Sequence, residues 1–371
     1  MHVSCLERYK MGNRVVITGL GFITKRGFTE DAIWDALCYL DRSYGEDSCT
    51  LETPYNMEDR FRDICYCANI GINAGILALK DHILTEGGKH DDWGIYCGTK
   101  LGSFTTTQKI QCNSYIKMGP AGITPAQLIH SGCHITADIV AIDYGIAGPN
   151  ITFTSGNLAS GMALLQAFDD IRNKELQGVV SIGSDAIDDM VITGHKIAGY
   201  ERLQELSSGA CSIIIQSDDG GQAHEKKIRG VIKSVETSGY PGTPGKYTFH
   251  ICKTMQKVIK MALKSANLNP EDIDLMVSTM GDSDIEKACF KRIYKDVFGE
   301  ESDNTRVLKT RETFGDTMGA NASLGTGVGV LCLERQMVPI EGQVTKKALN
   351  NILITAEDPS GGAWALILAK E

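Results

Sequence analysis

An asparagine stands where the surrounding residues would suit a nucleophile. In Ile151-Thr152-Phe153-Thr154-Ser155-Gly156-Asn157 a β-rich run meets a glycine break, and Ala159, Gly161, Ala163, Leu164, Leu165, Ala167 and Phe168 continue it as a buried helix. A side chain at such a strand-to-helix junction sits at a helix N-terminus, where outward N–H groups stabilise negative charge and would acidify a thiol. The Asn157 amide offers hydrogen bonds and no ionisable proton. Ser155 and Cys133 are the alternative nucleophiles near this point, and the nearby imidazoles are His130 and His134.

Other residue sets invite chemistry more weakly. His130 and His134 fall four apart with Cys133 between them, so on one helix they would share a face as metal ligands do. The glutamate of the zinc-protease motif is missing, and packing at an interface is the expected role. Asp282, Asp284 and Glu286 resemble a divalent-ion loop without its glycine or distal bidentate glutamate, which predicts a solvated turn entering a helix from Ile285. Gly315, Gly319, Gly325, Gly327 and Gly329 lack the Lys-Ser/Thr of a phosphate-binding loop and suit close packing of a loop and a buried helix. No metal, cofactor or nucleotide is expected.

The elements that position these residues read as α/β. Buried strands are predicted at 14–22, where the glycines are expected to open a tight loop, and at 93–97, 178–183, 210–215, 275–279 and 363–368. Helices are predicted at 68–86 and 247–266, and the alternation gives the class. The chain has 371 residues, 42% hydrophobic and 22% charged, enough for a large core. Residues 1–12 are expected to precede the fold. A polar stretch, Gln216-Ser217-Asp218-Asp219-Gly220-Gly221-Gln222, separates two similarly ordered halves, 13–222 and 223–371, within one compact unit.

A net charge of −9, without a basic stripe, argues against nucleic acid or an anionic membrane as partner. The twelve cysteines are scattered, Cys65 and Cys67 being nearest to a pair. With no apolar N-terminal segment for export and no apolar run long enough to span a bilayer, the expectation is reduced thiols in a cytoplasmic protein.

In order and spacing the chain resembles the β-ketoacyl synthases of the thiolase-like superfamily. The resemblance rests on Arg14-Val15-Val16-Ile17-Thr18-Gly19-Leu20-Gly21, on the segment from Gly119-Pro120 through Thr124-Pro125 to Gly148-Pro149, on the stretch from Asn157 to Gly183-Ser184-Asp185, and on Gly315-Asp316-Thr317-Met318-Gly319-Ala320. It implies a thiolase-like fold of two pseudo-duplicated halves in αβαβα layers. It also implies three losses, since Asn157 stands in the cysteine position, Met280 in the first histidine position and Asp316 in the second. Condensation needs a thiolate to carry the acyl chain and imidazoles to drive decarboxylation. Arg311 replaces the lysine before the second histidine, and Asp358-Pro359-Ser360-Gly361-Gly362 replaces the family's glycine-rich gate. The segment between Asp185 and Gly209 is shorter than in active relatives.

Within the superfamily this pattern resembles the chain length factors of type II polyketide synthases. These pair with an active ketosynthase and bound an interface tunnel. The resemblance implies a heterodimer, no cofactor, and a polyketide carried on the phosphopantetheine arm of an acyl carrier protein, itself acidic, that docks mainly on the partner. It makes Leu101, Phe104, Thr107 and Gln111 the tunnel residues, although their spacing equally suits a face packed on the core. Asn157, Arg311 and Ser360 become a vestigial pocket. The alternatives are a residual malonyl decarboxylase or acyltransferase, and a homodimeric acyl-binding scaffold.

Overall fold

The computed structural model describes residues 12–39, 51–57, 60–61, 64–82, 84, 88–200, 203–218, 227–240, 250–299, 306–340 and 343–371. Its strands are β1 (Val15–Thr24), β2 (Trp93–Gly98), β3 (Asn150–Phe153), β4 (Gly178–Asp185), β5 (Gly209–Ser217), β6 (Gly230–Gly239), β7 (Leu275–Ser278), β8 (Arg306–Lys309), β9 (Met337–Ile340), β10 (Gln343–Lys346), β11 (Asn351–Asp358) and β12 (Gly362–Ala369). The α-helices of five or more residues are α1 (Glu30–Tyr39), α2 (Tyr66–Asp81), α3 (Phe104–Ile110), α4 (Pro125–Ile129), α5 (Ile135–Tyr144), α6 (Ala159–Arg172), α7 (Asp189–Ile197), α8 (His250–Ala266), α9 (Asp284–Phe298), α10 (Thr310–Phe314) and α11 (Asn321–Arg335).

Ten strands form one sheet in the order β3-β2-β4-β5-β1-β6-β12-β11-β7-β8. From either edge inward the chain repeats one scheme, because β8, β7, β11, β12 and β6 occupy the places of β3, β2, β4, β5 and β1. The two sets meet where Val15, Val16 and Ile17 of β1 pair antiparallel with Ile232, Val231 and Gly230 of β6. This is the expected pair of pseudo-duplicated halves. The boundary expected at 222/223 lies outside the described residues.

Buried strand runs are continuous, as they must be for strands covered on both faces: all ten residues of β1 and all nine of β5 are buried. Helices α6 and α11 form the central layer and pack on each other and on strands of both halves. Helices α2 and α5 cover one outer face, α8 and α9 the other. Phe168, Leu164, Val328 and Leu331 belong to the central core, Ile72 and Val140 to one outer core, and Met255 and Ile293 to the other.

Three expectations are corrected here. Gly19 and Gly21 do not open a loop but lie inside β1; a Cβ on Gly21 would stand 2.1 Å from the Ala74 carbonyl of α2, so glycine lets that helix seat directly on the strand. His130 and His134 share no helix. His130 caps the C-terminus of α4, His134 precedes α5, and the chain turns at 131–133 between them. Cys252 of α8 and Cys289 of α9, both buried, are joined by a disulfide, a pair that a separation of 37 residues does not advertise. The thiols are therefore not all reduced, and cysteine usage no longer argues for a reducing compartment. No helix among the described residues is long and apolar enough to cross a membrane.

Candidate functional site

The central helices start beside a cavity of about 750 Å³. Asn157 enters it from the single 3₁₀ turn Gly156–Leu158 that leads into α6. The turn exists because Gly156 adopts φ +63°, a region that costs other residues dearly, and because a Cβ there would sit 2.2 Å from an Asp358 carboxylate oxygen. That same oxygen accepts the Asn157 backbone N–H at 2.7 Å. The Asn157 side chain is 2% exposed, and its Oδ1 accepts a hydrogen bond from Lys100 Nζ at 2.9 Å. The junction is intact, and an amide held by an ammonium occupies it.

Asp316 enters from the loop before α11. Its carboxylate accepts from the Met318 backbone N–H at 2.9 Å, in the turn before the helix, and from the Asn321 side-chain amide Nδ2 at 2.8 Å. Met318 itself holds φ +50°, an uncommon conformation for a non-glycine residue, on the cavity wall. Arg311, on α10, is 6% exposed. Its guanidinium faces Asp316 at 3.4 Å, Glu357 at 3.4 Å and Glu286 at 3.6 Å, and its Nε has no hydrogen-bond partner. One buried cation is thus caged by three buried carboxylates.

The carboxylates are not equivalent. Burial opposes ionisation of Asp316, but Arg311 and the donors from Asn321 and Met318 outweigh it and hold its carboxyl below the ordinary range. For Glu357 burial dominates: Arg311 offsets it only in part, the negative charges of Glu286 and Asp316 add to it, and the carboxyl is pushed up to about 7. Asp316 is therefore a fixed anion at neutral pH, whereas Glu357 is poised between forms. Arg311 is held charged by its three neighbours despite burial.

Lys100, His195, Tyr200 and Glu357 are cavity residues that sequence reading missed. Lys100 follows the end of β2 by two residues and Glu357 immediately precedes the altered gate, so position relative to the motifs was the available signal. His195 and Tyr200 come from α7 and the turn after it; the two rings pack edge to face at 5.5 Å. The His195 Nδ1 lies 2.8 Å from the Val191 carbonyl. The acidic cluster is not simply a solvated turn: Ser283 and Glu286 form a capping box for α9, Asp282 pairs with Lys309 at 2.8 Å, and Glu286 turns inward to Arg311.

Other expected residues lie elsewhere. Met280 is buried in the outer core with Met255 and Ile293 and does not line the cavity; Pro359, rather than Ser360, does. Leu101 packs beside Ile187, Val191 and Met318, and Phe104 starts α3 at 48% exposure. Thr107 lies further along α3, half-buried, and Gln111 begins the π turn that follows; the Gln111 side chain lies outside the described ones.

Residues 56–222 match the model of the β-ketoacyl synthase N-terminal domain. The chain is 22% identical to 3-oxoacyl-[acyl-carrier-protein] synthase 2 of Synechocystis sp., with 88% of this chain and 86% of that protein covered. It is 23% identical to nodulation protein E of Rhizobium leguminosarum bv. trifolii, over 54% and 52%. Among solved structures, a type II polyketide synthase acyl-carrier protein in complex with its ketosynthase bound to the hexaketide gives a TM-score of 0.84 at 15% identity, covering 97% of this chain and all of that one. The ishigamide ketosynthase/chain length factor gives 0.81 at 17%, again over 97% and 100%. Residues 56–222 thus resemble the β-ketoacyl synthase N-terminal domain, and the chain has the thiolase-like fold of these ketosynthase structures. Its structural neighbours include type II polyketide synthase subunits.

Proposed function

We propose that this chain is a catalytically silent ketosynthase-like subunit, a chain length factor, that pairs with an active ketosynthase and bounds the tunnel in which a polyketide grows. The observation that carries the reading is the cavity itself. At the nucleophile position an amide is tied to Lys100 and Asp358, and at the second histidine position Asp316 is an anion fixed by Arg311 and the donors from Met318 and Asn321. A thiolate to carry the acyl chain is missing there, and three carboxylates around one guanidinium disfavour the carboxylate of a malonyl extender and the enolate that its decarboxylation creates.

A partner is supported by the edge of the sheet. Among the described residues strand β3 is terminal, with no strand paired to its outer side, and it bears exposed Ile151; Ile142 on α5 is 77% exposed, and Ile116, Met118 and Leu128 are exposed too. Apolar surface of this kind beside an open strand marks an interface. Phe104 and Leu101 would then contribute to the tunnel, with Thr107 and Gln111 on the same segment. The test is native mass and malonyl turnover of the chain alone and with a ketosynthase encoded beside it. A one-to-one complex that alone makes product is expected.

One observation favours a second reading, residual decarboxylase or acyltransferase chemistry: His195 brings an imidazole to the cavity from an element of its own. Malonyl consumption by the purified chain, lost in His195→Ala, would establish it.

A further inference from the structure

Helix α8 carries an exposed surface at odds with the charge of the chain. Its apolar face, Ile251, Met255, Val258, Ile259, Ala262 and Leu263, is buried against the sheet. Its outer face presents Lys253, Lys257, Lys260 and Lys264, all exposed, and the helix has no acidic residue. The spacing i, i+4, i+7, i+11 aligns the four ammonium groups along about 16 Å of axis. Among the described residues none of the four is ion-paired. Two acids among the described residues touch the helix: Asp296 of α9 is engaged by Gln256 Nε2 at 2.8 Å and Arg292 at 3.7 Å, and Glu236 of β6 accepts from Ser265 Oγ at 2.5 Å. A shallow groove of about 440 Å³ runs beside the row, lined by these lysines with Gln256 and Met261. This is the basic stripe that the sequence reading passed over, in a chain of net charge −9.

The row begins close to the cavity rim. His250, at the start of α8, stacks on Tyr240 at 4.2 Å between centroids, and the Tyr240 N–H donates to the Gly361 carbonyl at 3.0 Å. Gly361 closes the turn whose Asp358 holds Asn157 and whose Pro359 lines the cavity.

We propose that the lysine face of α8 is a docking surface for the acidic face of an acyl carrier protein. Carrier docking is thereby placed on this chain instead of mainly on its partner. The inference rests on the reading above for the identity of the acidic partner. Charge complementarity chooses the occupant: four unpaired cations in a row fit a row of carboxylates on a helix, and they raise its encounter rate in a salt-dependent way.

The test is fluorescence anisotropy with a labelled apo acyl carrier protein of a type II polyketide synthase, titrated with the ketosynthase complex and with the chain alone. The K257E/K260E variant is expected to bind about tenfold more weakly or worse, the wild-type affinity to fall as salt rises, and K346E, remote from α8, to bind as wild type does. Unchanged native mass and circular dichroism show that the variant is folded. Equal affinity of K257E/K260E and wild type would overturn the proposal. So would binding of the wild type to phosphatidylglycerol vesicles with none to the carrier, which would assign the face to a lipid surface. A chain that never joins a ketosynthase yet loses carrier binding in K257E/K260E would refute the subunit reading and leave this one standing.

Discussion

Helices α6 and α11 are largely buried along their length, and a charged cavity lies just before their starts. In the central layer, Phe168, Leu164 and Val328 are fully buried and the glycines of α11 allow close approach. A few residues upstream, Asn157 and Asp316 open the cavity with Lys100, Arg311, Glu286 and Glu357. The core keeps the architecture by apolar volume, which tolerates drift between relatives of 22% identity. The cavity is held by charges that balance only as a set, so one substitution there commits its neighbours.

The largest effect expected is from Arg311→Ala. Removing the cation leaves three buried carboxylates uncompensated, and a loss of about 3–5 kcal/mol in chemical denaturation is expected. Phe168→Ala in the core should cost a similar amount, about 3–5 kcal/mol, through its cavity. The two differ in pH dependence: the Arg311→Ala loss should shrink as pH falls and the carboxylates protonate, and the Phe168→Ala loss should not. Parallel pH profiles would erase the distinction between the regions.

Glu357 gives the next effect. Its folded value of about 7 lies above its ordinary 4.5, so its contribution is fully present below about 4.5 and is lost as pH rises through 7. At pH 8 the penalty is about 3 kcal/mol. Glu357→Gln is expected to be worth more at pH 8 than at pH 5, measured as the midpoint of thermal unfolding. Asp316 works in the opposite sense: its carboxyl is depressed, so its contribution is present above the ordinary carboxylate range and fades as pH falls through its lowered value.

Much of this architecture was legible. The strands at β1, β2, β4, β5, β7 and β12 announce themselves as apolar runs, and α6 and α11 as buried helices, because burial on all sides needs no knowledge of a partner element. The junction at Gly156 and Asn157 was legible for the same local reason. What stayed hidden is long-range. Glu286, the pair Arg311 and Asp316, and Glu357 meet from three separate segments, and nothing within any one segment announces the meeting with the others. His195 sits in a stretch read only as shortened, and the histidines that drew attention, His130 and His134, are separated by a turn. The lysines of α8 were legible as a period and were overlooked because net charge averages over the chain.

Smaller effects sharpen the comparison further. Asn157→Ala removes the acceptor for Lys100 and is expected to cost about 1 kcal/mol. Asn157→Cys is expected to leave malonyl turnover at background, because under the proposed function Asp316 stands in place of the second histidine; recovered condensation would show that the other proposed losses are immaterial. Phe104→Ala, at an exposed position, should change stability by less than about 0.5 kcal/mol. In a complex with the ketosynthase it should shift product length at little cost in malonyl consumption, and an unchanged product profile would remove Phe104 from the tunnel.

The central claim is that chemistry has left this cavity while the fold has stayed. It is tested most directly by malonyl-carrier turnover, alongside native mass, for the chain alone, the ketosynthase alone and the two together. The expected result is no turnover from the chain alone and product from a one-to-one complex. A stable homodimer that consumes malonyl groups unaided would contradict the account and point to His195 or Lys100 as working groups.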